Sequence, residues 1–170
     1  MKNFLAIILA AMVLSVNAQT DSTVAPYKRF PTLPPMQILL TDSVTLFGKS
    51  QIPANTPVLY MLFDPGCSHC QHETEELVAH KKDFEEIQVV MITMPRSSFA
   101  EVNEFISKYR VNELKHVVVG RDITYFMPAF YSIRNFPFLA MYDRTGNLIT
   151  AFEGGMGMDK IISYFNGGSK

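Results

Sequence analysis

The chain has 170 residues, of which 48% are hydrophobic and 18% charged, and its formal net charge is −1. This composition is typical of a globular protein, and the length suits one domain whose core needs no additional covalent bonds. The sequence has no basic stripe and no block of like charges, so it does not indicate binding to nucleic acid or to an anionic membrane surface.

The first 18 residues have the pattern of a secretory signal peptide. Lys2 supplies the positive charge, an apolar run covers 4–16, and residues 16–18 (VNA) resemble a small-residue cleavage site. The run is shorter than the about 20 residues that a membrane-spanning helix needs. We therefore predict cleavage after Ala18 and a periplasmic or secreted mature chain that begins at Gln19 and does not span a membrane. The alternative is an uncleaved N-terminal anchor.

The mature chain begins with a proline-rich stretch and continues with alternating strand and helix patterns. Residues 19–35 carry four prolines and no periodic apolar pattern, which predicts a flexible, extended leader before one domain at 36–170. Strand-like segments surround a turn at 41–43, and residues 58–63 (VLYMLF) form a continuous apolar run typical of a strand buried on both faces. The sequence from 67 to about 84 is rich in helix formers, with acidic residues early and lysines late, an order that suits the helix dipole.

The second half of the chain repeats this alternation and ends in a hairpin and a helix. Residues 87–94 (IQVVMITM) predict another buried strand, and Ser98 with Glu101 matches a capping box at a helix start. Alternation favours parallel strands and the hairpin adds antiparallel ones, so we predict an α/β fold with a mixed central sheet flanked by helices. The remaining predicted elements are a short strand, an irregular or short helical stretch, a hairpin turn and a last helix, at 114–120, 123–133, 143–147 and 158–165.

Both cysteines of the chain lie in one motif, Cys67-Ser68-His69-Cys70, directly after the predicted buried strand and at the start of the predicted helix. A C-x-x-C in this position is a redox arrangement, because the unpaired N–H groups of a helix start stabilise the thiolate that acts as nucleophile. We expect Cys67 to face solvent and attack, and Cys70 to resolve the mixed disulfide. A protonated His69 would stabilise the Cys67 thiolate; alternatively, His69 is an exposed polar residue without this role.

These motifs together resemble the thioredoxin fold, and most of all the exported TlpA/ResA-like thiol-disulfide oxidoreductases, over roughly residues 36–165. The resemblance rests on the apolar strand that ends at Phe63, the C-x-x-C, Glu73 in a C-x-x-C-x-x-E spacing, and Asn135-Phe136-Pro137 before the FLAMYDRTGNLI hairpin. It implies that Pro137 is cis, as only about 5–6% of X–Pro bonds are. It also implies that the Phe136 backbone pairs with an extended substrate segment. The alternative is an ordinary trans proline at a strand start.

The resemblance implies an enzyme that exchanges a Cys67–Cys70 dithiol or disulfide with protein thiols or disulfides in the periplasm. Such an enzyme is recharged by a membrane redox partner and needs no cofactor besides its own disulfide. The subgroup indicates a reductase. However, Gly66 replaces the usual aromatic residue before the first cysteine, and the Ser-His pair resembles the oxidising DsbA-type centre, so the direction of electron flow stays open. Glu73 either accepts the Cys70 proton during resolution or is a solvated residue that serves only the helix dipole.

Three other interpretations of the motif are possible. A purely structural disulfide would close a very small loop and stabilise the fold little. Two cysteines and two histidines within 67–72, with His80 beyond them, form a dense group of soft ligands, but zinc sites usually draw ligands from a distant segment. Copper(I) needs fewer ligands and prefers thiolates, so a copper(I)-binding thioredoxin-like metallochaperone is the main alternative function. A thiol peroxidase is the third, although Asp64 occupies the place of its usual threonine.

Overall fold

The computed structural model of this protein describes residues 24–167, which form one sheet with helices on both of its faces. The predicted signal peptide at 1–18 lies outside the described residues. The strands are β1 (Gln37–Leu40), β2 (Leu46–Gly48), β3 (Val58–Leu62), β4 (Gln88–Thr93), β5 (Val117–Arg121), β6 (Phe138–Tyr142) and β7 (Leu148–Glu153). The α-helices are α1 (Pro26–Arg29), α2 (Ser68–Ala79), α3 (Phe99–Lys108), α4 (Phe126–Tyr131) and α5 (Met158–Phe165).

The strands are arranged in the order β2-β1-β5-β4-β3-β6-β7. Strands β3, β4 and β5 are parallel to one another, whereas β6, β7, β1 and β2 run antiparallel to their neighbours. The mixed sheet predicted from the alternating pattern and the hairpin is therefore confirmed. The carboxyl ends of the three parallel strands and the amino end of β6 meet along one side of the sheet, which we call the carboxyl edge.

The central strands β3 and β4 are buried on both faces, as their continuous apolar sequences predict. Alternate side chains of a strand point to opposite faces, so Leu59 and Met61 join one hydrophobic cluster and Tyr60 and Leu62 join the other. Helices α2, α3 and α5 cover the first cluster, and α1 and α4 cover the second. This double burial fixes β3 in the middle of the molecule, and with it the point from which the C-x-x-C motif begins.

The predicted helical segments are all present in the described part of the chain. Helix α2 begins after Cys67 and is followed by a 3-10 turn at Lys81–Phe84, so the helical region predicted from composition occurs in two pieces. Before α3, the Ser98 hydroxyl accepts a hydrogen bond from the Glu101 N–H at 3.2 Å, and the Glu101 carboxylate accepts one from the Ser98 N–H at 2.6 Å. This confirms the capping box. None of the helices in the described part of the chain is long and apolar enough to cross a membrane.

The proline-rich stretch before β1 differs from the extended leader that its sequence predicts. In its described part, the Tyr27 ring of α1 lies 5.5 Å from the Tyr131 ring and 6.3 Å from the Phe138 ring, measured between centroids. Leu33 is buried, and its N–H donates to the Gly146 carbonyl at 2.8 Å. The described part of the stretch packs because it carries apolar side chains and because the β6–β7 hairpin accepts the hydrogen bond of one of its backbone N–H groups. The absence of a periodic apolar pattern in the sequence does not predict this packing.

Three tyrosines in the second hydrophobic cluster differ in how their buried hydroxyls are paired. The Tyr131 and Tyr142 hydroxyls are hydrogen-bonded at 2.5 Å, whereas the Tyr60 hydroxyl has no partner among the described residues. We expect Tyr142→Phe to lower the free energy of unfolding by about 1–3 kcal/mol, because it leaves the Tyr131 hydroxyl buried and unpaired. Tyr60→Phe removes an unpaired hydroxyl and should leave that free energy unchanged or higher. Urea unfolding measures both values, and equal losses would contradict this account.

Candidate active site

The C-x-x-C motif lies where β3 ends and α2 begins, as the sequence predicts. Cys67 is the N-cap residue of α2, with φ −82° and ψ 118°, and Cys70 lies about one turn into the helix. The turn before them is closed by Asp64, whose carboxylate accepts from the Gly66 N–H at 2.8 Å and whose carbonyl accepts from the Cys67 N–H at 3.0 Å. The turn therefore holds Cys67 beside the unpaired N–H groups of the helix start.

The two cysteines have different surroundings, although both are free thiols. Cys67 is half-buried, whereas Cys70 is 0% exposed. Burial raises the pKa of the Cys70 thiol well above its ordinary range, and the adjacent Cys67 side chain raises it further. The pair thus combines one accessible sulfur with one that is held inside the protein as a protonated thiol. This asymmetry suits an attacking and a resolving cysteine.

A distant segment, residues 135–137, borders the first cysteine. The Phe136–Pro137 peptide bond is cis, as the resemblance implies. The Cys67 thiol donates to the Phe136 carbonyl, with Sγ and O 3.8 Å apart. Pro137 is buried and Phe136 is half-buried. The carboxyl edge therefore brings together three of the residues that the sequence singled out, Cys67, Phe136 and Pro137.

Arg96 is a residue of this edge that the sequence analysis missed. It follows β4, forms an ion pair with the Asp64 carboxylate, and places its guanidinium 5.8 Å from the centre of the Phe136 ring. An ion pair between a 62% exposed Arg96 and a 24% exposed Asp64 adds little to stability. Its effect is positional, because one side chain contacts both the turn before Cys67 and the segment before Pro137. The sequence feature that could have identified Arg96 is its position just after a predicted buried strand.

Glu73 is buried in α2, with 4% of its surface exposed, which rules out the solvated position considered from the sequence. Its Oε2 accepts from the Met156 N–H at 3.3 Å, and its Oε1 has no hydrogen-bond partner within residues 24–167. A Cβ at Gly155 would lie 2.7 Å from Oε2, so the glycine leaves room for the carboxyl group. Burial raises the pKa of the Glu73 carboxyl to about 7, and the charge of Glu76 adds to the rise, against the opposing Met156 N–H.

The histidines near the motif are not arranged as a metal site. His69 and His72 are exposed on α2, and His80 follows the helix with its Nδ1 3.5 Å from the Asp83 carboxylate. In the part of the chain that the structure describes, no three or more His, Cys, Asp or Glu side chains are grouped to hold a metal ion. The copper alternative therefore has the two cysteines as its candidate ligands, and a tuning role for His69 stays a prediction.

Comparison with known proteins gives the family. Residues 49–167 match the family model of a thioredoxin-like domain. No curated protein matches the chain. A similar solved structure is a secreted Mycobacterium tuberculosis disulfide oxidoreductase homologous to E. coli DsbE, with a TM-score of 0.65 and 17% identity, covering 78% of this chain and 96% of that one.

Two further solved structures have the same fold. DsbF of M. tuberculosis, in mixed oxidised and reduced forms, has a TM-score of 0.66 and 19% identity, covering 81% of this chain and 100% of that one. A thiol:disulfide interchange protein of the thioredoxin family from Chlorobium tepidum has a TM-score of 0.67 and 14% identity, covering 81% and 94%. At these identities the structural likeness shows the fold alone. The family match covers most of the chain and agrees with the observed fold, so the chain belongs to the thioredoxin-like family.

Proposed function

We propose that this protein is an exported thiol-disulfide oxidoreductase that acts on protein thiols and disulfides. The observation that carries the proposal is the asymmetry of its dithiol, with a half-buried Cys67 at the start of α2 and a fully buried Cys70 one turn later. The contact between Cys67 and the Phe136 carbonyl supports it, because it places backbone polar groups beside the reactive sulfur, where an extended substrate segment can pair with them.

The proposed reaction is a pair of thiol-disulfide exchanges. The Cys67 thiolate attacks one sulfur of a substrate disulfide, forms a mixed disulfide and releases the other substrate sulfur as a thiolate. Cys70, once deprotonated, then attacks the Cys67 sulfur, which forms the Cys67–Cys70 disulfide and releases the second substrate thiolate. The substrate gains two electrons and the protein loses them.

Glu73 is our candidate for the proton acceptor of Cys70. Glu73 lies three positions after Cys70 on α2, and residues three positions apart are neighbours on a helix surface. A buried carboxyl with a pKa of about 7 and one unpaired oxygen can both take up and release a proton near neutral pH. The proton of the Cys70 thiol would pass to Glu73 during resolution and return when the disulfide is reduced.

We further propose that the protein works as a reductase that a membrane partner recharges. Strongly oxidising centres stabilise their reduced thiolate. Here, the Cys67 thiol donates to a carbonyl oxygen, which is an acceptor and not a cation and therefore does not stabilise the thiolate. The C-x-x-C-x-x-E spacing supports the same direction, and the secreted M. tuberculosis neighbour supports export.

Replacing each cysteine separately tests the assigned roles. We expect Cys67→Ser to abolish exchange with a disulfide-bonded protein, because the accessible nucleophile is lost. We expect Cys70→Ala to keep the first attack and to accumulate a mixed disulfide that is visible on a non-reducing gel and by mass spectrometry. Full exchange by the Cys67→Ser variant would overturn the assignment, and copper(I) titration of the wild type would then test the metallochaperone alternative.

The raised pKa of Glu73 predicts a pH dependence of stability. The folded protein binds this proton more tightly than the unfolded chain, so the contribution of Glu73 to the free energy of unfolding is largest below pH 4.5 and is lost as the pH rises to about 7. We expect Glu73→Gln to remove this fall. Urea unfolding at a series of pH values measures it.

The control for this prediction is Glu75→Gln, which changes an exposed carboxylate on the same helix and should keep the wild-type profile. A slower resolution step in the Glu73→Gln variant, measured as longer-lived mixed disulfide, would support the proton-acceptor role. Identical profiles of stability against pH for the wild type and the Glu73→Gln variant would contradict the raised pKa of the Glu73 carboxyl.

A further inference from the structure

Two exposed apolar side chains lie in the loop that joins β5 to α4, which we call the β5–α4 loop (residues 122–125). Ile123 is 46% exposed and Tyr125 is 56% exposed. Because β5 is parallel to β3, its carboxyl end lies on the carboxyl edge, two strands from the end of β3. At the usual spacing of neighbouring strands, this separation is about 10 Å. The loop therefore lies on the same side of the molecule as Cys67.

The chain connects this loop to the segment that borders the dithiol. After Tyr125 it forms α4, which packs on the second hydrophobic cluster through Met127, and it then runs to Phe136, two residues before β6. Between the two ends of this path lies Arg96, in the loop that follows β4 and over the Phe136 ring. The β5–α4 loop and the surface around Cys67 are thus parts of one continuous edge.

Tyr125 is poorly suited to its own position in the chain. Its φ of 56° and ψ of 24° are in the left-handed region, which glycine and asparagine adopt more readily than an aromatic residue. It is also the N-cap residue of α4 and makes no side-chain capping hydrogen bond, where Ser, Thr, Asp or Asn is preferred. The Asp122 carboxylate caps the helix start instead, by accepting from the Met127 N–H. The left-handed backbone of Tyr125 is not offset by burial of its side chain, which is 56% exposed. Such a local conflict indicates a contact outside the chain.

The loop is held rigidly from beneath. Asp122 is 0% exposed, and its carboxylate accepts three hydrogen bonds: from the Thr124 N–H at 3.1 Å, the Thr124 hydroxyl at 2.8 Å and the Met127 N–H at 2.6 Å. The backbone that carries Ile123 and Tyr125 is therefore fixed before any partner arrives. A preorganised apolar surface loses little conformational entropy when it binds.

We propose that the β5–α4 loop is a second docking site for the polypeptide whose cysteine reacts at Cys67. In this proposal, the loop contacts an apolar side chain of that polypeptide. The inference rests on the proposed function. An extended chain advances about 3.3 Å per residue, so the separation of about 10 Å between the ends of β3 and β5 corresponds to about three residues. Because the loop continues beyond the end of β5, we expect this side chain about three to five residues from the reacting cysteine. The site thus selects clients by an apolar residue at a set distance, in addition to the cysteine itself.

The test uses extended, serine-rich peptides with one cysteine, activated as a mixed disulfide with thionitrobenzoate. One peptide has no leucine, and each of the others has a single leucine within about six residues of the cysteine on either side. The reduced protein attacks the activated disulfide, and the released thionitrobenzoate gives the second-order rate constant. For the wild type, we expect leucine about three to five residues away to raise this constant roughly fivefold to tenfold over the leucine-free peptide, and leucine elsewhere to have less effect.

The variants show whether the loop is the cause. In Tyr125→Gly and Ile123→Ser, we expect the ratio between the best leucine peptide and the leucine-free peptide to fall towards one. Glycine suits the left-handed backbone, so Tyr125→Gly should fold at least as stably as the wild type, which urea unfolding checks. The matched control is Val44→Ser. Val44 is 80% exposed and lies in the β1–β2 turn, at the side of the sheet opposite the carboxyl edge, so this variant should keep the wild-type ratio.

The outcomes separate this proposal from the proposed function. If the wild-type protein fails to reduce even dithiobis-nitrobenzoate, a small disulfide without a peptide, the proposed function fails and the docking site falls with it. If it reduces that compound but shows no leucine preference, or if Tyr125→Gly keeps the preference, the docking site alone is overturned. A dimer in sedimentation that Tyr125→Gly dissociates, without any peptide preference, would assign the loop to a second copy of the chain instead.

Discussion

The unequal burial of two cysteines one helical turn apart is the constraint on which the rest of the site depends. It follows from the junction between β3 and α2. Strand β3 is buried on both faces and cannot shift, and the turn closed by Asp64 ends it and starts the helix at Cys67. The helical repeat then directs Cys70 into the core, where desolvation disfavours its thiolate. One sulfur can be reached from solvent, and the other is enclosed in the core.

The sheet topology brings residues from other parts of the chain to the β3–α2 junction. Parallel strands end on the same edge, so the loop after β4 brings Arg96 to Asp64, and the antiparallel β6 brings Phe136 to Cys67. On the inner side of α2, the loop before α5 closes over Glu73, and the missing side chain of Gly155 leaves the space that the carboxyl group fills. The surroundings of the Cys67 sulfur and of the buried Glu73 carboxyl thus come from four separate parts of the chain: the β3–α2 region, the loop after β4, the segment before β6 and the loop before α5.

The central strands, the hairpin and the strand-to-helix placement of the dithiol could be predicted from the sequence, because continuous apolar runs, turn residues and cysteine spacing are local signals. The cis state of Pro137 came from the family resemblance and is present in the structure. The Asp64–Arg96 ion pair could not be predicted, because it joins two loops that only the sheet brings together. The burial of Glu73 depends on Gly155, and the packing of the proline-rich stretch depends on Gly146 and the rings of Tyr131 and Phe138, all distant in sequence.

The most direct test of this account is the reduction potential of the Cys67–Cys70 pair. The protein is equilibrated against dithiothreitol or glutathione mixtures, and free thiols are counted after alkylation. The account predicts that both thiols disappear together as one two-electron couple, with a potential near that of thioredoxin, about −270 mV, or lower. A potential of about −120 mV would contradict the assignment as a reductase, since such a potential is typical of a strongly oxidising centre. Failure of the two thiols to form a reversible disulfide would contradict the oxidoreductase itself.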